Sequence, residues 1–235
     1  MLHSTHEVFN RIKKALVTKQ ALSLVRLGNG EALTLAHQLL IPMNQIEPWL
    51  EYAGVKLPNE TIRHELLQAI QNTDILGLTT DRIHWDCAPL LAKVFAHFKF
   101  TPRYPTNAQI NWQLHREPRF YFSLRNFSII LVGRLAAVAA PHLERKGLQI
   151  VATYPLDSYH DLPQVEQMIQ TGPPFRVALV AAGIPASILC PRLAKKHHCV
   201  AIDYGHVIND LLKPGFNNQD LPAETQRWLN NRSPR

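Results

Sequence analysis

The strongest constraint in this sequence is the alternation of short apolar runs with segments of helical periodicity. The apolar runs predict strands at residues 21–27, 74–79, 127–132, 148–154, 176–181 and 199–203. Most are followed by a segment with apolar residues three and four apart, which is typical of an amphipathic helix. A strand that is apolar on both faces is buried on both faces, as in a parallel sheet covered by helices. The sequence therefore predicts an α/β fold with a mainly parallel sheet and helices on both faces.

The length of 235 residues favours one domain, since domains of about 100–200 residues are typical and α/β domains can be larger. Residues 1–20 are predicted to form an N-terminal helix capped by Ser4 or Thr5. Residues 98–105 contain two prolines and are predicted to be a loop. Residues 213–235 are rich in Pro, Gly, Asn and Gln and are predicted to be a C-terminal tail. We therefore expect residues 1–235 to form a single α/β domain.

The chain carries a formal charge of +7, from 25 Lys and Arg against 18 Asp and Glu. Residues 92–146 hold nine of the basic residues and only two acidic ones, so this segment alone has the same excess. Such clustering is typical of a surface that faces an anionic partner, but solvated helix faces and loop arginines give the same count. Few aromatic residues lie among the basic ones and no nucleic-acid-binding motif occurs, so nucleic acid is not an expected partner.

The cysteines and the N-terminus indicate a cytoplasmic protein. Cys87, Cys190 and Cys199 form no Cys-x-x-Cys pair and are too few for a disulfide framework, so we expect reduced thiols. The first twenty residues lack the apolar run of a signal peptide. No stretch approaches the roughly 18 apolar residues of a membrane span.

The first candidate site follows the first predicted strand, where Arg26 leads into Gly28, Asn29, Gly30 and Glu31. Ligands bind at the carboxyl ends of strands in open parallel sheets, and glycines let the backbone approach them closely. The helix that follows offers free N–H groups to a phosphate. Glu31 could hold a metal or act as a base, whereas an ordinary strand–turn–helix connection would also favour an acid there.

Two later strand ends carry similar candidates. Gly183, Ile184 and Ala186 lie where the fifth predicted strand meets a helix, and Asp203 and His206 close the last strand. A carboxylate and an imidazole at a strand end could orient substrate or transfer a proton. Plain connections and a locally packed histidine explain the same residues about equally well.

Weaker candidates complete the set. Thr79 and Asp81 end the second predicted strand and could contact a ligand, although a turn is the simpler interpretation. Asn107, Asn111 and His115 lie on or beside one short helix. The histidines show no spacing typical of a structural zinc site, and no P-loop or Gly-x-Ser-x-Gly motif occurs.

The candidate segments together resemble a known family. Residues 23–31, Ser-Leu-Val-Arg-Leu-Gly-Asn-Gly-Glu, are similar to the Arg-[Phe/Leu]-Gly-Asp-Gly-Glu segment of the bacterial GT-D fold glycosyltransferases. Residues 181–186 and 201–206 are similar to the closing segments of that family. The resemblance covers about residues 20–212. It implies a Rossmann-like fold of GT-D type and a sugar transfer from a nucleotide-diphosphate donor, commonly a UDP-hexose, to a glycan or protein acceptor that the sequence does not identify.

The resemblance also implies roles for individual residues. It implies Glu31, Asp203 and His206 as catalytic residues, and Glu31 with Asn29 as ligands of Mn²⁺ or Mg²⁺. The residues predicted for nucleotide-sugar binding are those of the matching segments together with Thr79 and Asp81, which are included for their position at a strand end: Arg26, Gly28, Asn29, Gly30, Thr79, Asp81, Gly183, Ile184 and Ala186. Asn29 stands where the family has Asp, and an amide oxygen can bind a hard cation but adds no negative charge. The alternative function is therefore a non-catalytic nucleotide or nucleotide-sugar binding protein. The oligomeric state is not predicted.

Overall fold

A computed structural model describes residues 1–43, 55–57, 59–79 and 87–212. Its centre is a sheet of seven parallel strands in the order β3-β2-β1-β7-β6-β4-β5. The strands are β1 (Leu22–Leu27), β2 (Ile75–Leu78), β3 (Pro105–Asn107), β4 (Ser128–Val132), β5 (Gln149–Tyr154), β6 (Val177–Val180) and β7 (Val200–Asp203). All six predicted strands are present, and the prediction of a mainly parallel sheet is confirmed.

The seventh strand, β3, was not predicted from the sequence. It has three residues and begins at Pro105, the last residue of the segment predicted to be a loop. Proline has no N–H to donate to a ladder, so in sheets it is confined to edges and strand starts. β3 lies at the edge of the sheet and pairs only with β2 among the named strands of the described chain.

Helices connect the strands. They are α1 (Thr5–Val17), α2 (Asn29–Ala36), α3 (Glu60–Gln71), α4 (Cys87–His97), α5 (Ile110–Arg116), α6 (Pro118–Leu124), α7 (Ala136–Glu144), α8 (Leu162–Thr171), α9 (Ile184–His197) and α10 (Val207–Leu212), with a short 3₁₀ turn at Tyr159–Asp161. The predicted N-terminal helix is α1, and Ser4 is its cap through a reciprocal bond with Glu7. None of the helices in the described ranges is long and apolar enough to cross a membrane.

The apolar core has two parts, one on each face of the sheet. Along β4, Ile130 and Val132 face the part that holds α2, α3, α4, α8 and α9, whereas Ile129 and Leu131 face the part that holds α1, α5, α6, α7 and α10. Both sets are buried. This two-sided burial is the reason that central strands such as β4 are continuously apolar in the sequence.

The strand order positions a crevice at the junction of β1 and β7. From β1 the chain proceeds to β2 and β3 on one side, and the remaining strands lie on the other side. The helix after β1, α2, packs on one face, and the helix after β7, α10, packs on the opposite face. Such a reversal of strand order separates the connections at the carboxyl edge and opens a crevice, where ligands bind in open α/β sheets.

Candidate functional site

The chain segments at residues 28–31 and 203–206 leave the sheet side by side, because β1 and β7 are neighbours. Residues 183–186 leave the next strand, β6, which pairs with β7. The three candidate segments therefore follow three consecutive strands. Thr79 lies on the other side of β1, and its hydroxyl donates to the Leu27 carbonyl oxygen at 3.0 Å. Asp81 lies outside the described residues.

Glu31 joins the starts of two helices. Its carboxylate accepts a hydrogen bond from the Gly28 N–H at 2.8 Å and another from the Ser187 hydroxyl, on α9, at 3.3 Å. The residue is only 9% exposed. Burial raises the pKa of Glu31, and the nearby charge of Asp203 raises it further. Ser187 was not predicted as a site residue, since a serine within a helix carries no distinguishing pattern in the sequence.

Arg26 and Asp203 form a buried ion pair between β1 and β7. The Arg26 Nη2 lies 3.1 Å from the Asp203 Oδ1, and the two side chains are 18% and 4% exposed. The Arg26 Nε donates to the Asp203 carbonyl oxygen, and its Nη1 donates to the Ala108 carbonyl oxygen, both at 3.3 Å. All three guanidinium nitrogens thus have protein acceptors. Arg26 thus joins the end of β7 to the turn before α5.

The guanidinium of the same ion pair lies close to the backbone of Gly205. Its φ of +51° lies in the left-handed region, and a Cβ built there would collide with the Arg26 guanidinium. Asn111, only 1% exposed, donates from its Nδ2 to the Tyr204 carbonyl oxygen at 3.0 Å. Its Oδ1 has no hydrogen-bond partner among the described residues. His206 follows as an exposed residue at the mouth of the crevice.

The start of α9 has fewer free donors than an ordinary helix start. Gly183 precedes it with φ +63°, a left-handed conformation that favours glycine. Pro185 lacks an N–H, and the Ala186 N–H donates to the Gly183 carbonyl oxygen at 2.9 Å. Ile184 and Ala186 have buried side chains, so only their backbone atoms could contact a ligand. At the start of α2 the Gly28 N–H already donates to the Glu31 carboxylate, so a ligand there would use the N–H groups that follow.

Asn29 and Glu31 are the residues that could hold a divalent ion at this site, with the donor phosphates and water as further ligands. The Asn29 Oδ1 is buried without a hydrogen-bond partner in the described part of the chain, so one oxygen is free to bind a cation. The Glu31 carboxylate retains lone-pair capacity beyond the hydrogen bonds that it accepts from the protein. No cluster of three His, Cys, Asp or Glu side chains occurs within the described ranges. The residues fit a Mg²⁺-like ion that takes most ligands from phosphate and water, not a closed protein cage.

The basic segment at residues 92–146 does not face the crevice as a unit. Arg125, Arg145 and Lys146 lie in connections that enter β4 and β5, so they are at the amino edge of the sheet, opposite the crevice. Arg134 alone among the nine basic residues follows a strand directly, and it pairs with Asp157 at 2.6 Å. The clustering of basic residues in the sequence therefore does not correspond to one surface around the candidate site.

Comparisons with known proteins agree with the fold. The model of the family described as GT-D fold-like domain matches residues 3–211. A structure described as domain of unknown function 1792 with a distinct glycosyltransferase fold superposes with a TM-score of 0.51 at 16% identity, covering 87% of this chain and 83% of the other. A new glycosyltransferase of the same domain type from Streptococcus sanguinis gives 0.53 at 15% identity, covering 85% and 80%. A search of curated proteins finds no match.

Proposed function

This chain belongs to the GT-D fold-like domain family, and on that premise we propose that it transfers a sugar from a nucleotide-diphosphate donor, a UDP-hexose, to a glycan or protein acceptor. The observation that carries the proposal is the pairing of β1 with β7, which brings the segments at residues 28–31 and 203–206 to neighbouring positions at the carboxyl edge. The fold predicts ligand binding at this position independently of any motif.

The donor diphosphate is assigned to the start of α2. The first N–H groups of a helix have no partner within it, and the helix dipole favours negative charge there. Gly30 places no side chain at this turn, so a phosphate can approach the backbone there. Because transfer breaks the bond between the anomeric carbon and the diphosphate, negative charge develops on the leaving oxygen, and fixed N–H donors stabilise it.

The acceptor hydroxyl must lose a proton as its oxygen attacks the anomeric carbon. His206 is exposed beside the crevice, and we assign it the role of general base. Glu31 and Asp203 are buried and already accept hydrogen bonds from the protein. We assign both of them to positioning: Glu31 holds α2 against α9, and Asp203 fixes Arg26.

A divalent ion, Mn²⁺ or Mg²⁺, would be held by the Asn29 Oδ1 and Glu31 together with donor phosphates, and would supply positive charge for the leaving diphosphate. Asn29 contributes no charge of its own. The same feature favours a second candidate function, a protein that binds the nucleotide sugar without turning it over.

The test combines binding and turnover. A panel of nucleotide sugars, each with and without Mn²⁺, is screened for an increase in Tm, since a ligand of the native state stabilises it by mass action. The donor that binds is then assayed for transfer or hydrolysis in the wild type and in His206→Gln. We expect His206→Gln to keep the Tm shift and lose roughly 10²-fold or more in kcat.

His160→Gln is the matched control. His160 is also exposed at the carboxyl edge, but it follows β5, three strands from β7. Its replacement should change neither binding nor kcat. A Tm shift without any turnover in the wild type favours the binding protein, and equal turnover in both variants removes His206 from the mechanism.

A further inference from the structure

The segments that lead into the strands carry a strong excess of positive charge. In a parallel sheet these segments all lie at the amino edge, opposite the crevice. We call this surface the amino face; it comprises residues 18–21, 72–74, 98–104, 125–127, 145–148, 172–176 and 198–199. Its basic residues are Lys19, Lys99, Arg103, Arg125, Arg145, Lys146 and Arg176, all exposed except the half-buried Arg176. Its one acidic residue, Asp74, accepts hydrogen bonds from the N–H and hydroxyl of Ser23.

The carboxyl edge shows no such excess. Among the described segments that directly follow strands, Arg134, Asp157 and Asp161 are the Lys, Arg, Asp or Glu residues outside the strands and α-helices, and Arg134 pairs with Asp157. Within the described residues, the two ends of the sheet therefore differ in charge, and the excess of basic residues in the strand connections lies at the end away from the candidate site.

Compensation of helix dipoles does not account for this excess. Seven helices end at the amino face, and each helix C-terminus has roughly −0.5 elementary charge, or about −3.5 in total. The seven cations outweigh that value even after Asp74 is counted. In the last turns of the helices, the exposed cations Lys14, Lys195 and Lys196 add to the excess, and the exposed Glu144 at the end of α7 reduces it by one.

Large apolar side chains are exposed beside these cations. Val17, the last residue of α1, is 71% exposed, and Phe122 on α6 is 70% exposed. The Arg125 guanidinium lies 5.5 Å from the centre of the Phe122 ring, which places this ring next to the amino face. Seven strands spaced about 4.8 Å apart make the face about 29 Å wide.

We propose that the amino face binds the surface of an anionic lipid bilayer, a property beyond the proposed sugar transfer. Basic residues attract acidic headgroups, and exposed apolar residues among them enter the interface. Nucleic acid fits less well, because the cations are spread across a broad face rather than along a groove, and Val17 has no ring on which a base could stack. Bound in this way, the protein directs its crevice away from the bilayer.

The test is co-sedimentation of the full chain with phosphatidylcholine vesicles, with and without phosphatidylserine. We expect binding only to the vesicles that contain phosphatidylserine, and weaker binding as salt increases. The triple variant Lys19→Gln/Lys99→Gln/Arg145→Gln should bind about 100-fold more weakly, since each basic residue near such a surface contributes about five-fold. The single variant Phe122→Ser should also weaken binding to these vesicles, but it should not change the dependence of binding on salt.

A second triple variant provides the matched control. Lys13→Gln/Lys93→Gln/Arg116→Gln removes the same charge from exposed positions on helix faces outside the amino face. It should retain most of the affinity. Equal loss in both triple variants, equal binding to neutral vesicles, or binding of a single-stranded RNA with no binding to vesicles would each overturn the proposal. Donor binding measured by Tm shift should be unchanged in both triple variants, so the two proposals fail independently.

Discussion

The ion pair of Arg26 with Asp203 provides the sharpest test of how the crevice is held together. Arg26→Met removes the guanidinium but keeps a side chain of similar length. The Asp203 carboxylate, 4% exposed, then keeps only the Arg26 backbone N–H at 3.3 Å as its described donor. Removing one partner of a buried ion pair destabilises a protein by about 3–5 kcal/mol, because the other charge remains without compensation. We expect a loss in this range.

The size of the effect should depend on the charge that is left behind. Asp203→Asn leaves the guanidinium, which is 18% exposed and keeps the carbonyl oxygens of Asp203 and Ala108 as acceptors. We expect this variant to lose about 1–3 kcal/mol. The double variant Arg26→Met/Asp203→Asn has no buried charge, so it should be more stable than Arg26→Met alone. That ordering distinguishes an unpaired charge from a simple loss of packing.

Urea unfolding of the wild type and the three variants measures these differences. A loss of 3–5 kcal/mol in a chain of this size corresponds to a decrease in Tm of roughly 6–20 °C. The double-mutant cycle should give a coupling free energy that exceeds the loss in Asp203→Asn alone, as the expected order of the variants requires. A loss below about 1 kcal/mol in Arg26→Met, or a double variant as unstable as the sum of the single variants, would refute the reasoning.

Three further predictions concern the same edge of the sheet. Because burial raises the pKa of Glu31, the folded state of the wild type should lose stability as pH rises from 4.5, the ordinary pKa, through the raised pKa. Glu31→Gln has no carboxylate to titrate, so urea unfolding across this pH range should show the decline in the wild type only. Gly205→Ala should destabilise the protein by about 1 kcal/mol for the left-handed backbone, and by more for the collision with Arg26, whereas Gly30→Ala, in the first turn of α2, should not lower the Tm. Asn29→Asp should increase the affinity for Mn²⁺, because it adds an anionic oxygen. A titration with Mn²⁺ followed by Tm measures this affinity, and an unchanged titration midpoint would contradict the prediction.

The strands were predictable because each carries its own signal. The runs that form β4, β6 and β7 are apolar at nearly every position, and glycines or polar residues bound them. β3 lacked that signal, since it has only three residues and begins with proline. The helix α6 was also missed, although Pro118 at its start is a recognised signal for a first helical turn.

The candidate site was only partly predictable. Glycines after β1 and β6 indicated sharp strand–helix turns, and the structure has both. The bond from Ser187 to Glu31 joins residues 156 positions apart, and the ion pair of Arg26 with Asp203 joins residues 177 positions apart. Pairs of this kind follow from which strands are neighbours, and no local pattern in the sequence specifies that order.

By itself, the sequence determined the types of the main elements, the α/β class and the net charge of +7. These properties depend on local periodicity and composition, which are readable residue by residue. The tertiary structure decided that β7 lies beside β1, and so which strand ends share a crevice. It also decided that most of the basic residues in the strand connections lie at the amino edge. Strand order arises from burial and pairing between distant segments, and these interactions exist only once the chain has folded.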